Sequence, residues 1–336
     1  MSRHWTKRDT ESGRRVEGGL ARLMGKSPAM VALRKAVARA ASAPFPVLIE
    51  GESGTGKELV ARALHEEGPR RHERFSAVNC ATFSDELIDA ELFGHAKGAF
   101  TGAGQARRGL LEETSGGTVF LDEVGELSPR GQAKLLRTLQ EGEIRKLGEN
   151  RTRNLDLRVV AATNRGLTRE ADRGCFRRDL LYRLDVVHLD VPPLRDRPDD
   201  IEALAEHYWG RTLAQTQGHA RLSRDTLAVL VSHEWPGNVR ELQNVLAALA
   251  IQAPPEGEVG PHLLPAGFRR TVEERRPTLA EARRAFERAF VRAALIRANG
   301  QRRRAARELG MSRQGLSKLI DRLGIDSGGG ATTRST

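Results

Sequence analysis

Gly51 to Glu58 reads GESGTGKE, between the apolar run FPVLIE (Phe45 to Glu50) and the helical pattern LVARALHEE. A G-x-x-x-x-G-K motif between a strand and a helix is a phosphate-binding loop in its required context. The glycines let successive backbone N–H groups curve around phosphate oxygens, and the helix start adds a favourable partial charge. Lys57 is placed to reach the β- and γ-phosphates. Glu58 stands where Ser or Thr usually offers a hydroxyl to Mg²⁺, so metal binding must lean on another carboxylate. TVFLDE, Thr118 to Glu123, supplies one at the end of an apolar strand. Asp122 is placed to hold Mg²⁺, directly or through water, and Glu123 to polarise the water that attacks the γ-phosphate. Such an acidic pair alone is commonly a helix cap; following a phosphate loop, the catalytic reading is the stronger.

The elements that must position these groups are legible along the chain. Ser27 and Pro28 start a helix with Met30, Leu33 and Val37 at helical spacing. FSAVNCA (Phe75 to Ala81) is a strand, a helix runs from about Ser84 to Phe93, and Ser128 and Pro129 start another with Leu135, Leu136 and Leu139 on one face. EIRKLG reads as a hairpin strand. LRVVAATN (Leu157 to Asn164) is a buried strand whose polar end faces the ligand crevice of a parallel sheet, so Asn164 either senses the γ-phosphate or turns a loop. CFRRDLLYRLDVV puts Arg177 and Arg183 six apart on a helical stretch, and VPPLRDRPDDI ends the α/β unit. Three helices follow, at Asp199 to Gln217, Ser223 to His233 and Val239 to Gln252; WPGNVREL (Trp235 to Leu242) opens the last, with Arg240 in its first turn.

Between the two phosphate motifs lies GAFTGA: Gly98, Ala99, Phe100, Thr101, Gly102 and Ala103. It has no helix or strand preference, and its glycines let the backbone change shape at little cost. An isolated loop of this kind is best read as a turn whose Phe packs back on the core. Inserted inside a nucleotide-binding unit, it becomes a loop that the nucleotide could move.

Composition excludes several classes. Only Cys80 and Cys175 are present, so a disulfide framework is ruled out and a reducing cytoplasm is expected. No apolar run approaches a membrane span and the polar N-terminus is no secretory leader, so no membrane role is expected. Between Arg269 and Arg322 stand 16 Arg or Lys and 6 Asp or Glu, so this segment carries +10 of the +11 net charge. A basic module on a balanced body suggests nucleic-acid contact by the C-terminal part alone. Prolines 254, 255, 261, 265 and 277 mark a linker before it. An amphipathic helix from Leu279 to about Ala298 bears Phe286, Phe290 and Leu295. QRRRAARELGMSRQGLSKLIDRLGI then reads as helix, Gly310-centred turn, helix. That arrangement turns Ser312, Arg313, Gln314, Ser317 and Lys318 toward a major groove and sets Arg302, Arg303 and Arg304 on phosphates.

GESGTGKE, ELFGHAKGAFTGA, GGTVFLDE, FRRDLLYRL, PPLRDR and WPGNVREL occur in the order found in the bacterial enhancer-binding proteins, the AAA+ activators of sigma-54 RNA polymerase. The chain closely resembles that family over roughly Gly25 to Leu249, with a Fis-type helix-turn-helix after the linker. The resemblance implies an α/β AAA+ P-loop NTPase fold, a parallel sheet flanked by helices, with an all-α lid. Expected boundaries are a polar segment at 1–23, the ATPase at 24–194, the lid at 195–252, a linker at 253–277, the DNA-binding domain at 278–325 and a tail at 326–336. It further implies ATP and Mg²⁺ as cofactors, sigma-54 holoenzyme and upstream enhancer DNA as partners, and a ring, most often a hexamer.

The resemblance also implies roles for single residues. Nucleotide contacts fall on Gly51, Glu52, Ser53, Gly54, Thr55, Gly56, Lys57 and Glu58, and along Thr114, Ser115, Gly116, Gly117, Thr118, Val119, Phe120, Leu121, Asp122 and Glu123. Asn79 looks like a switch that holds Glu123, Asn164 like the first sensor and Arg240 like the second. Arg177 and Arg183 look like arginine fingers reaching a neighbouring subunit's nucleotide, although Arg178 stands where an acidic or small residue is usual. Phe100 and Thr101 match the residues that contact sigma-54. Two other classes compete: an AAA+ remodelling enzyme with another client, which has no use for GAFTGA, and an ATP-sensing DNA-binding repressor, which should have lost Lys57, Asp122, Glu123 or the arginines.

Overall fold

The computed structural model describes residues 18–82, 85–99, 105–216, 218–265, 267–268, 279–298 and 301–323. The chain divides into two compact units after Phe268. In the first, β1 (Val47–Glu50), β2 (Phe75–Asn79), β3 (Thr118–Asp122), β4 (Arg158–Thr163) and β5 (Val187–Asp190) form a parallel sheet in the order β2-β3-β4-β1-β5. Period-2 alternation divides its apolar side chains between two cores. Val47, Ile49, Phe120, Val160 and Ala162 pack with α1 (Pro28–Ala41) and α2 (Lys57–Glu66). Leu48, Val119, Leu121, Val159 and Ala161 pack with α3 (Asp85–Phe93), α4 (Pro129–Glu141) and α5 (Arg178–Leu184).

Local chemistry fixes the helix starts. Ser27 Oγ accepts from Met30 N–H at the start of α1, and Ser128 Oγ from Gly131 N–H at the start of α4, each followed by Pro. Such caps contribute about 1 kcal/mol each. At the far end of the sheet, the buried Arg158 donates through Nη1 to Ala41 O and Leu64 O and through Nη2 to Ala40 O. One guanidinium therefore ties the C-terminal ends of α1 and α2, where helix carbonyls carry partial negative charge. This leaves the opposite, carboxyl end of the strands for ligand.

The segment carrying GAFTGA leaves α3 through a two-residue strand, Gly94–His95, paired antiparallel with Arg107–Arg108. Phe100, Thr101, Gly102 and Ala103 lie outside the described residues. The stem is tied to a second hairpin, Glu143–Arg145 with Thr152–Asn154, because Ala96 N–H donates to Leu147 O and Leu147 N–H to Gly94 O.

The lid comprises α6 (Ile201–Thr216), α7 (Arg224–Ser232) and α8 (Asn238–Gln252) around Trp209, Trp235 and Leu246. The expected linker from residue 253 differs in its first part. Glu258–Val259 pairs with Arg221–Leu222, Thr226 Oγ1 donates to Val259 O, and Leu264 and Phe268 are buried in the lid core. Apolar residues spaced among the prolines hold this stretch on the lid.

The second unit is α9 (Leu279–Arg297), α10 (Arg302–Glu308) and α11 (Arg313–Leu323), closed over Val291, Ala305, Ala306, Leu316 and Ile320. Gly310 turns the chain between α10 and α11 with φ 65°, where a side chain would be strained. Phe286 and Phe290 stack on each other on the exposed side of α9, while Leu295 packs on the core. Among the described residues, no helix is long and apolar enough to cross a membrane.

Candidate functional site

The loop after β1 folds as its glycines require. Gly54 and Gly56 have φ of 78° and 104°, and a Cβ on Gly54 would meet Gly237 O at 2.3 Å. Thr55 Oγ1 donates to Glu52 O across the turn. Lys57, only 7% exposed, directs Nζ to Gly51 O at 2.9 Å, Glu52 O at 3.4 Å and Glu123 Oε1 at 3.5 Å. Sheet and loop thereby bring Lys57, Asp122 and Glu123 to one cleft of about 440 Å³, lined also by Ser53, Glu58, Asn79 and Arg240.

Glu123 takes φ 52°, a left-handed conformation that costs a non-glycine residue about 1 kcal/mol or more and turns its side chain toward the cleft. Its carboxylate is held from two sides, by Lys57 Nζ and by the Asn164 backbone N–H at 3.1 Å. Asn164 thus touches Glu123 through its main chain. Asn79 directs Nδ2 to Asp122 Oδ2 at 3.4 Å rather than to Glu123, while its Oδ1 accepts from Ala81 N–H. Burial, then the neighbouring Glu123 charge, pushes the Asp122 carboxyl above its ordinary range, with Lys57 opposing. Cys80 beneath is pushed up to about 12 by burial and by the same two carboxylates, so its thiol stays protonated.

A destabilised carboxylate at the rim of a phosphate cradle suits a divalent cation. Glu58 is not aimed at it: its carboxylate takes both Nε and Nη2 of Arg62, one turn along α2. Among the described residues, no group of three or more His, Cys, Asp or Glu side chains could hold a metal. Asp122 therefore fits Mg²⁺ only where phosphate oxygens complete the shell.

The lid closes on the phosphate loop through contacts that the sequence reading missed. Arg195 Nη1 and Nη2 clasp Glu52 Oε2 at 2.8 Å and Oε1 at 2.5 Å. Asn238, fully buried at φ 53°, donates to Glu52 Oε2 and Ser53 O and accepts from Leu194 N–H. Together Arg195 and Asn238 hold the Glu52 carboxyl down at about 2. Glu52 is thus a strut between sheet and lid. Arg240 Nη1 reaches Ser53 Oγ at 3.1 Å, and its backbone N–H donates to Gly54 O. Beside the cleft, Leu23, Met30, Val191, Leu204 and Tyr208 line a narrow apolar slot that shares Leu59 and Val239 with it. The slot holds about 40 Å³, with Arg22 and Arg197 also on its border.

The structure removes Thr114 to Leu121 from the expected contacts. Thr114 is fully buried and bonded to Ser76 Oγ and Leu110 O, Thr118 is bonded to His65 Nδ1, and Val119, Phe120 and Leu121 fill the two sheet cores. Gly117 packs against Arg74 O at the strand's far end, and Ser115 and Gly116 meet the segment at Asp156. Strand polarity is the reason: only Asp122 and Glu123, at the carboxyl end, reach the cleft.

Arg177 immediately precedes α5, with no side-chain cap bond, and Arg183 lies in its last turn, both exposed. Neither lines the chain's own cleft. Arg177 forms a two-point pair with Asp179 (Nε to Oδ1 3.0 Å, Nη2 to Oδ2 2.7 Å), and Arg178 pairs with Asp172.

In the second unit, Arg303, Arg304, Arg313, Gln314 and Lys318 are exposed. Ser312 Oγ accepts from Gly315 N–H and caps α11, while Arg302 Nη1 donates to Ser317 Oγ at 3.2 Å. Ser312, Ser317 and Arg302 are thus engaged in shaping the hairpin.

Comparison with known proteins agrees in order and extent. The sigma-54 interaction domain matches residues 23–190, the AAA+ ATPase lid domain 195–281 and the Fis-family bacterial regulatory protein domain 282–323. The Nif-specific regulatory protein of Azotobacter vinelandii is 44% identical over 311 residues, covering 90% of this chain and 59% of the relative. The transcriptional regulatory protein ZraR of Klebsiella oxytoca is 41% identical over 307 residues, covering 89% and 68%. A crystal structure of NtrX from Brucella abortus in complex with ADP superimposes with a TM-score of 0.71 at 35% identity, covering 91% of this chain and 70% of that one. The chain therefore spans less than two thirds of the Azotobacter relative and slightly more of the other two. With sheet, lid and helix-turn-helix each matched in sequence, this protein belongs to the sigma-54-dependent transcriptional activators of the AAA+ class.

Proposed function

We propose that this chain hydrolyses ATP to drive a sigma-54 RNA polymerase holoenzyme from the closed to the open promoter complex, while its helix-turn-helix holds upstream enhancer DNA. The observation that carries the reading is one cleft that joins Lys57, Asp122 and Glu123 yet leaves out Arg177 and Arg183. A single chain then has an incomplete site, and a ring of copies, by our reading a hexamer, completes it with fingers from the neighbour.

In that site Lys57 and the loop N–H groups bind the β- and γ-phosphates. Mg²⁺, when bound through Asp122, would neutralise charge on the phosphate oxygens. Glu123, fixed by Asn164 N–H and Lys57, orients and polarises water for in-line attack. Arg177 and Arg183 from the neighbouring copy stabilise charge in the transition state, a contribution of about 10³ to 10⁵ in rate in well-studied NTPases. The slot with Tyr208 and Leu204, opened from its present volume of about 40 Å³, seats the base. Movement is passed to the GAFTGA stem, where Phe100 and Thr101 engage the sigma factor. The ADP- and ATP-bound structures of NtrX support nucleotide binding by this fold.

The test uses the purified chain, sigma-54 holoenzyme and a promoter with its upstream site. Open complexes should need hydrolysable ATP, and Thr101→Ala should abolish them while ATP turnover persists. Opening without ATP, or equal loss of both activities in Thr101→Ala, would sink the reading.

A further inference from the structure

Gln132 is 1% exposed, in the first turn of α4, and lines no part of the nucleotide cleft. All three of its side-chain bonds go to backbone at or near functional residues. Nε2 donates to Leu127 O at 2.8 Å and to Cys175 O at 3.1 Å; Oε1 accepts from Arg177 N–H at 2.9 Å. Two carbonyls on one side and one N–H on the other fix the amide's orientation, because a flipped amide would face oxygen with oxygen. Leu127 ends the short 3-10 turn that begins at Glu123, held by Glu126 N–H to Glu123 O and Leu127 N–H to Val124 O. Cys175 and Arg177 lie just before the first residue of the finger helix, Arg178.

A buried glutamine is most often simply a satisfied core residue. This one differs in what it connects: one amide joins the turn carrying a chain's hydrolytic carboxylate to the backbone of the arginine that the same chain offers its neighbour. We propose that Gln132 is the positioning residue of the finger, setting Arg177 relative to Glu123 across α4. The proposal rests on the ring reading above. It makes a specific distinction: the Glu123 turn keeps its own bonds, Glu126 N–H to Glu123 O and Leu127 N–H to Val124 O, so losing Gln132 should damage chiefly the neighbouring copy's site.

The experiment is complementation in mixed rings. Gln132→Met keeps the side chain's bulk and removes its bonds; Gln132→Asn keeps the amide but is too short to span the three partners. Each should lower kcat at least about tenfold with nucleotide KM nearly unchanged, since a misplaced group costs rate more than binding. Glu123→Gln copies are inactive but carry sound fingers. In an equal mixture, about a quarter of head-to-tail interfaces pair a Gln132-variant site with a Glu123→Gln copy's finger. ATP turnover should reappear at those interfaces. Absence of rescue, or a KM rise equal to the kcat loss, would overturn the proposal.

The control mixes Arg177→Ala with Glu123→Gln. Failure of that rescue would dispose of the trans-finger reading itself, whereas rescue there without rescue of Gln132→Met would dispose of the Gln132 role alone. Should either Gln132 variant fail to fold, amide exchange in the wild-type ring still decides. The Arg177 N–H, at a helix start where no helical carbonyl precedes it, should exchange slowly; rapid exchange there would overturn the bracket.

Discussion

Arg177 and Asp179 grip each other by two parallel N–H···O bonds in the single chain. The pairing raises the arginine's pKa and lowers the carboxyl's, and Asp179 also accepts from its neighbour Leu180 N–H. Arg177 is therefore parked on its own helix, and serving as the proposed finger would mean exchanging one anion for another. Exposed pairs hold weakly, so this parking orients the side chain without locking it.

Removing the arginine and removing its partner should have unequal effects. Arg177→Ala should lower ATPase kcat by about 10³-fold or more, with nucleotide binding to the single chain unchanged. Asp179→Asn, which keeps the contact to Leu180, should change kcat by no more than about fivefold. Steady-state turnover against protein concentration separates the two. Comparable losses would mean that Asp179 belongs to the finger's working geometry.

The division of labour between the carboxylates gives a second expectation. Glu123 is held by Lys57 and Asn164 N–H, whereas Asn79 bonds Asp122. Glu123→Gln should reduce hydrolysis by about 10²- to 10⁴-fold and leave ATP binding in place. Asn79→Ala should act through Asp122 and raise the Mg²⁺ concentration needed for half-maximal turnover. A magnesium titration that superimposes on wild type would refute that route.

Much of this site was legible in the residues. GESGTGKE and TVFLDE located Lys57, Asp122 and Glu123 because a phosphate cradle needs its glycines, its lysine and its strand-end acids in one order. The contacts that the resemblance implied at Thr114 to Leu121 ran against strand polarity: only the carboxyl end of β3 meets the cleft, and Val119, Phe120 and Leu121 are core. Glu52, Arg195 and Asn238 were illegible as a group, since positions 143 and 186 residues from Glu52 meet it only when the lid folds back. Gln132 carried no signal at all beyond being a polar residue on an otherwise leucine-lined helix face.

Glu52 supplies a pH test with a definite sign. Its carboxyl ordinarily titrates near 4.5 and is held at about 2 by Arg195 and Asn238. A depressed folded-state pKa means that the unfolded chain binds the proton more readily between those values, so stability rises with pH there. The strut's contribution is complete above 4.5 and is lost as pH falls toward 2. Thermal unfolding of wild type and Glu52→Gln should therefore differ at neutral pH and converge through that window. Nucleotide affinity should weaken with the lid contact. Parallel melting curves at every pH would show that Glu52 bears no load.

The basic unit offers the last test, because its residues divide by what already engages them. Ser312 caps α11, and Arg302 is bonded to Ser317. Arg303, Arg304 and Lys318 are exposed cations, and Gln314 is an exposed amide in the first turn of α11. Arg303→Ala and Lys318→Ala should each weaken binding to all sequences alike and reduce the slope of log K against log salt by about 0.9. Gln314→Ala should cost about 1–3 kcal/mol on the cognate site and little elsewhere. Ser312→Ala should instead lower the unit's stability by about 1 kcal/mol through the lost cap, with the salt slope unchanged. Fluorescence anisotropy on cognate and scrambled duplexes at several salt concentrations distinguishes these outcomes. A change of salt slope in Ser312→Ala, or none in Lys318→Ala, would place the DNA on another face of the helical hairpin.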